Sequence, residues 1–301
     1  MTITAKIIAD SISENGTRIT TFELEYPRFI HSEFMTHRAF SRNSASSRAI
    51  PASRIIEQVE SSPAMPVHWG KNQSGMQAKE ELKGVVKLAV KDNWLWAAKE
   101  MVSRVKIMSG AGLHKQTANR LLEPFQTMKV LVTATEYNNF WWLRDSSDAQ
   151  PEIQKLAQAM KKAYDCSAPR LIKEGMWHLP YVETEEDLKN NTQTYFDEQG
   201  NEISLKQAIM ISCSSSAQIS YRRLDTSLEK AEDIYKKLVE SEPVHASAME
   251  HCATPIVSEN NKTGKWEEGV THQDRDGKLW SGNFQGWIQY RQLISNNVKK
   301  G

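Results

Sequence analysis

THRAFSRNSASSR, residues 36–48, places three arginines, a histidine, an asparagine and four serines in thirteen positions, with almost no apolar cover. Such a run offers backbone N–H groups, hydroxyls and planar guanidinium forks, the donor set that suits a phosphate. Arg38, Ser41, Asn43, Ser46 and Arg48 supply it within one loop. Ahead of the run, TRITTFELEY (17–26) alternates apolar and polar side chains and reads as a strand ended by Pro27. RFIHSEFMTHRAF (28–40) carries Phe29, Ile30, Phe34 and Met35 at helical spacing and reads as a short helix. SRNSASS reads as an irregular loop, because Ser and Asn compete for their own backbone. A helix-to-loop junction would turn several amides inward together. The alternative is a solvated loop whose arginines and serines are surface residues.

Working outward, TAKIIADSI (4–12) reads as a first strand, joined to the second by a turn at Glu14, Asn15 and Gly16. SRIIEQVES (53–61) reads as a short helix, 61–78 as loop, 79–108 as a long helix and 115–122 as another. MKVLVTAT (128–135) reads as a strand or the start of a buried helix. Helices are expected over 136–144 and 150–174, and a polar loop or hairpin over 190–204. A helix runs from Ser227 or Thr226 to about 240, with Thr226 and Glu229 spaced as a capping box. Residues 257–283 read as a long loop, and GWIQYRQLI (286–294) as a last amphipathic helix. The expected class is α/β (α+β), a mixed sheet packed with long helices.

Composition narrows the function. In 301 residues, Lys plus Arg number 38 and Asp plus Glu 37, so any anion site is local rather than a nucleic-acid or membrane surface. No apolar run is long enough to span a bilayer. The N-terminus lacks a signal-peptide layout, and three scattered cysteines argue for a reducing compartment, so a cytoplasmic protein is expected. His245, His251 and Cys252 are the one group worth weighing as metal ligands, and no metal is expected.

The run contains HRxxSxNxxSxR, which resembles the signature of the flavin-dependent thymidylate synthases, usually RHRxxSxNExSxRY. His37, Arg38, Ser41, Asn43, Ser46 and Arg48 fall on it. FELEYPRFIHSEFMTHR resembles the family's strand–Pro–helix lead-in, and GLHKQTANRLLEPF the helix that ends in a nucleotide-binding Arg, here Arg120. TATEYNNFWWLRDSSDAQPEIQ is similar to a family block of form NFLxLRxxxxAQxEI, matched at Asn139, Arg144, Ala149, Gln150, Glu152 and Ile153. The family's opening segment resembles SSAQISYR (215–222) and PVHASAMEHCATP (243–255) instead, which implies a circularly permuted chain, as in phage-type relatives. The chain would then be one catalytic domain over 1–301, with inserted loops near 51–78, 175–212 and 256–285.

The resemblance implies methylation of dUMP to dTMP, with FAD, NADPH and 5,10-methylenetetrahydrofolate, by a homotetramer whose sites draw on several subunits. Arg144 and Ser46 would be catalytic, Arg144 by stabilising negative charge on the pyrimidine carbonyl and Ser46 by positioning. Glu33, Ser44, Ala45, Ser46, Ser47, Arg48, Arg120 and Arg144 would bind the nucleotide. Thr36, His37, Arg38, Asn43, Asn139, Ser220, His245, Ser247 and Glu250 would hold the cofactors, with His245 where folate and flavin stack. Simpler roles stand beside these: Arg144 paired to Asp145 or Asp148, Arg120 capping its own helix, Arg48 solvated, His245 a structural hydrogen-bonder. Trp141, Trp142, Trp177 and Tyr221 could offer flat surfaces but are expected in the core.

Several positions depart from the family pattern. Thr36 replaces an Arg, Ser44 a Glu, Ala49 a Tyr, Glu33 a Gln and Asp148 a His. An Asp accepts from an amino group, so dCMP as substrate or a hydroxymethyl product is the alternative chemistry. A non-catalytic nucleotide- or flavin-binding protein is the alternative class. Plain nucleic-acid binding is disfavoured by the balanced charge.

Overall fold

Alternation in the first 27 residues builds a hairpin. In the computed structural model, which describes residues 3–220, 224–257 and 266–298, β1 (Thr4–Ser13) and β2 (Arg18–Pro27) pair antiparallel around the expected turn. β2 pairs antiparallel with β4 (Thr127–Ala134), β4 with β3 (Ser41–Ser44), and β1 parallel with β5 (Arg170–Ile172). The mixed sheet therefore runs β3-β4-β2-β1-β5.

One face of this sheet is apolar. Phe22, Leu24 and Tyr26 of β2 and Val130 and Val132 of β4 are fully buried against α6 (Pro151–Asp165) and α5 (Asn138–Arg144), through Ile153, Leu156, Met160 and Phe140. Each such side chain contributes about 1.5–3 kcal/mol by leaving water. A second core joins α2 (Ala52–Ser61), α3 (Gly84–Gly110) and residues 118–125, which follow the short α4 (Lys115–Ala118). A third joins α7 (Leu205–Ala217), α8 (Leu228–Val239) and residues 244–252.

Several elements differ from expectation. SRNS is an edge strand, not a loop, because four backbone pairings with β4 outweigh the turn preference of Ser and Asn. The helix expected over 150–174 stops at Asp165, and Arg170–Ile172 join the sheet beside β1. The segment 175–212 holds β6 (Glu183–Asp187), β7 (Thr192–Phe196), β8 (Glu202–Ile203) and the start of α7. Within 257–283, β10 (His272–Gln273) and β11 (Leu279–Ser281) pair, and β12 (Phe284–Gln285) adds to them. GWIQYRQLI is not a helix: β13 (Trp287–Gln289) pairs with β9 (Ala253–Pro255), because Trp287 and Ile288 are both buried, and a 3-10 turn follows. Ser227 alone caps α8, while Thr226 turns to Glu198 at 2.8 Å, so the expected capping box does not form. No described helix is long and apolar enough to cross a membrane.

Candidate active site

The lead-in folds as a tight path. β2 ends at Pro27, a 3-10 turn covers Arg28–Ile30, and α1 (His31–Phe34) follows. The carbonyls that follow so short a helix need donors. Arg42, from β3, supplies them, giving Nη1 to the carbonyls of Met35 at 2.9 Å and His37 at 3.0 Å. This fixes the backbone that carries Thr36, His37 and Arg38. Sequence reading passed over Arg42 because it occupies a variable position of the signature.

Arg144, the last residue of α5, reaches back onto this path. Its Nε donates to His37 Nε2 at 2.9 Å, its Nη1 lies 3.3 Å from Glu33 Oε2, and its Nη2 lies 3.4 Å from Thr36 Oγ1. The pairing is with Glu33, not with Asp145 or Asp148. Because His37 Nε2 accepts, its proton sits on Nδ1. Burial, then the Arg144 and Arg42 charges, push the His37 pKa down to about 4, so the ring is neutral at pH 7 and its lone pair is free to orient Arg144. Phe140 meets the ring edge-on at 4.9 Å.

Arg144 borders two cavities. One, of about 170 Å³, is lined by Thr36, His37, Arg38 and Asn139. The other, of about 810 Å³, is lined by Phe29, Glu33, His68, Trp94 and Asp148, and its volume suits a mononucleotide. The structure thus brings Glu33, Thr36, His37, Arg38, Asn139, Arg144 and Asp148 together.

A second cluster forms around Glu123. Buried Ser47 donates to Glu123 Oε1 at 2.9 Å, and Arg120 and Arg28 reach the same oxygen at 2.8 and 3.0 Å. Asn119 Nδ2 holds the carbonyls of Ser47 and Ile50 at 2.7 and 3.0 Å, and Lys115 holds that of Ala49 at 2.7 Å. Loop 45–50 is thereby stitched to residues 115–123. Ala45 is buried, Ser44 is half-buried, and Ser46, Arg48 and Arg120 are exposed. The Arg48 amide donates to Ser46 Oγ at 3.3 Å. Arg28, Asn119 and Glu123 were not anticipated; no motif marks them. Within one chain the Arg120 and Arg144 clusters are separate, the first on Glu123 and the second on Glu33.

The C-terminal candidates fold onto β3. Asn43 Nδ2 donates to the Ser216 carbonyl at 3.2 Å. His245 and Ser247 are exposed at the 3-10 helix Ala246–His251, and Glu250 is paired with Arg291. Gln289 Nε2 ties Ser41 Oγ, at 3.1 Å, to the Glu250 carbonyl, at 3.5 Å. Ser220 ends the 3-10 helix Gln218–Ser220, its side chain lying outside the description, and Tyr221 and Arg222 lie outside the described residues. Trp141 packs on Tyr137 and Tyr164, Trp177 on Tyr290, and Trp142 is exposed rather than in the core. His251 is committed to Thr133, and among the described residues no three His, Cys, Asp or Glu side chains are grouped to hold a metal.

The sequence model of the family described as thymidylate synthase complementing protein matches residues 17–170, just over half of the chain and the whole span from β2 to Arg144 and α6. This chain belongs to that family. Membership makes it a methyltransferase-type enzyme acting on a pyrimidine nucleotide. His245, Ser247 and Glu250 lie beyond the residues that the family model covers. No curated protein matches. Among solved structures, the UMP/dUMP methylase PolB from Streptomyces cacaoi bound with 5-Br dUMP is similar, with TM-score 0.44 and 15% identity over 54% of this chain and 90% of that one. The same methylase bound with 5-Br UMP gives TM-score 0.43 and 16% identity over 54% of this chain and 88% of that one. A flavin dinucleotide would find donors here in the exposed Arg38 guanidinium, the Asn43 and Asn139 amides and the buried Ser216 hydroxyl, which has no hydrogen-bond partner among the described residues.

Proposed function

We propose that this enzyme converts dUMP to dTMP, using 5,10-methylenetetrahydrofolate as carbon donor, FAD as redox cofactor and NADPH as reductant. The observation that carries the reading is Arg144, held by Glu33 and His37 at the border of a nucleotide-sized cavity. A guanidinium there stabilises the negative charge that develops on a pyrimidine carbonyl when the ring carbon becomes nucleophilic. Neutral His37 orients it without adding charge. Ser46, Arg48 and Arg120 hold the phosphate and Ser44, Ala45 and Ser47 shape its loop. Thr36, His37, Arg38, Asn43, Asn139, Ser220, Ser247 and Glu250 hold the flavin, which supplies hydride when bound, and His245 meets the folate. The separation of Arg120 from Arg144 within one chain supports a site completed by neighbouring subunits of a homotetramer. Val85, Leu88, Trp96 and Ile107, exposed on α3, favour such an assembly. We further read the chain as one circularly permuted catalytic domain working in the cytoplasm.

A second reading has a specific observation behind it. Glu33 and Asp148 line the Arg144 cavity as two carboxylates. Carboxylates accept from the exocyclic amine of cytosine, whereas uracil offers N3–H and carbonyls. dCMP, or a hydroxymethyl product, is then the alternative. Incubation of the flavin-loaded enzyme with NADPH, methylenetetrahydrofolate and each deoxynucleoside monophosphate, with products identified by mass, decides. Gain of a methyl group on dUMP alone supports the first reading. Turnover of dCMP alone replaces it, and turnover of neither overturns both.

A further inference from the structure

The sheet face opposite Phe22 and Val132 is polar. Register places Ser41 beside Thr133 and Thr133 beside Thr21 across three strands. The hydroxyls of Thr21 and Thr133 lie 2.7 Å apart. Thr21 Oγ1 continues to His178 Nε2 at 2.9 Å, and His178 Nδ1 to Ser11 Oγ at 2.8 Å. In the other direction Thr133 Oγ1 meets His251 Nδ1 at 2.8 Å. All five residues are buried. His178 is held from the side by backbone bonds to Ala253, at 2.8 and 3.2 Å.

His178, Thr21 and Thr133 each have two partners in this row, and Ser11 and His251 at its ends have one. Burial pushes the pKa of His178 down to about 4 and that of His251 to about 3, so both rings are neutral at pH 7. A neutral imidazole has one N–H and one lone pair, and a hydroxyl has one proton to give. The row can therefore point only one of two ways. Either both histidines carry the proton on Nε2, or both carry it on Nδ1.

The two ends differ. Ser11 and His178 border a cavity of about 220 Å³ that also holds Asp10 and Glu186. At the other end His251 Nε2 is buried and has no partner among the described residues. Ser216 Oγ, on α7, is likewise without one. It lies one turn from Ser212, whose hydroxyl is 3.2 Å from Cys252 Sγ, so this face of α7 covers the His251 segment. Asn43 is bonded to the Ser216 carbonyl, which sets this end beside the proposed flavin site.

We propose that Ser11, His178, Thr21, Thr133 and His251 form a proton relay between the proposed flavin site and the cavity at Ser11. This rests on the proposed methylation, in which a ring carbon that gains a carbon substituent sheds its hydrogen as a proton. His251 Nε2 takes up a proton, and Nδ1–H passes to Thr133. Thr133 passes its own to Thr21, Thr21 to His178 Nε2, His178 Nδ1–H to Ser11, and Ser11 to the cavity. One proton enters, one leaves, and no electrons move. A proton passed back to the amine that the one-carbon donor leaves behind restores the starting direction. Thr21, Thr133, His178 and Ser11 are positioning residues acting through His251.

Nitrogen NMR of the full-length protein labelled at histidine reads the row directly: His178 and His251 show the same tautomer at pH 7. Thr21→Val, which keeps shape and removes the central hydroxyl, lowers turnover by about 10²-fold with nucleotide dissociation constant unchanged, and Thr21→Ser restores it. Opposite tautomers, or Thr21→Val at wild-type turnover, overturn the relay. Should Thr21→Val fail to fold, as its thermal midpoint reveals, Ser11→Ala must show the same loss and Ser11→Thr its rescue. If the wild-type enzyme methylates no pyrimidine nucleotide, the proposed function falls, while the tautomers still decide the relay.

Discussion

The two faces of the central sheet are made from alternate residues of the same strands, yet they are built to different ends. One buries Phe22, Leu24, Val130 and Val132 against α5 and α6. The other buries Thr21, Thr133, His178 and His251, with His251 Nε2 unpartnered among the described residues. Burying hydroxyls and imidazoles yields less stability than burying methylene groups, and an unpaired buried nitrogen costs about 1–3 kcal/mol. The apolar face therefore carries the fold. The polar face is retained at a loss of stability, as expected of a surface that serves chemistry.

Substitutions on the two faces sharpen this contrast. Phe22→Ala on the apolar face is expected to lower unfolding free energy by about 3–5 kcal/mol, by the same amount at pH 5 and pH 7. Denaturant unfolding at both values checks it, and a loss under 1 kcal/mol would contradict the assignment of this face as the core. The polar face responds to acid instead. His178 and His251 have folded pKa values of about 4 and about 3, below the 6.5 of an unfolded histidine. Below pH 6.5 the unfolded chain binds protons that the folded chain refuses. Stability is thus full above pH 6.5 and falls towards pH 4, by about 1 kcal/mol per pH unit for each histidine. His31 and His37, each lowered to about 4, act in the same direction. A urea midpoint that does not move between pH 7 and pH 5 would remove the buried neutral histidines from the account.

Thr133→Val, isosteric and on the polar face, strands His251 Nδ1 and the Thr21 hydroxyl. It should lower stability by about 1–3 kcal/mol, less than Phe22→Ala, and thermal unfolding of the two variants side by side ranks them. Ser204→Ala touches neither face. It removes the α7 capping box, in which Ser204 and Gln207 bond each other's backbone, and is expected to lower stability by about 1 kcal/mol with activity intact.

The apolar face was legible in the sequence because its signal is local. Alternation in 17–26 lies within one element, and the apolar run 128–135, open between strand and buried helix, and the helix expected over 136–144 are local signals as well. The signature also singled out the residues that meet Arg144, since Thr36 and His37 lie next to each other in the chain. The polar face was not legible. His178 sits in no motif and reaches Ser11 and Thr21 across 167 and 157 positions of sequence. Arg28 and Glu123, which meet beside loop 45–50, are likewise brought together only by the fold. β3 and β13 were misjudged because short strands owe their pairing to distant partners, Thr133 for Ser41 and Thr254 for Ile288. Local propensity says little about such pairs.

In the proposed reaction Arg144, steadied by His37 and Glu33, stabilises charge on a bound pyrimidine. Single-turnover methylation by Arg144→Ala, with flavin content followed by absorbance, tests it most directly. The account predicts a loss of about 10²–10³-fold in the methylation rate with flavin fully retained. A variant that methylates nucleotide at the wild-type rate would contradict it.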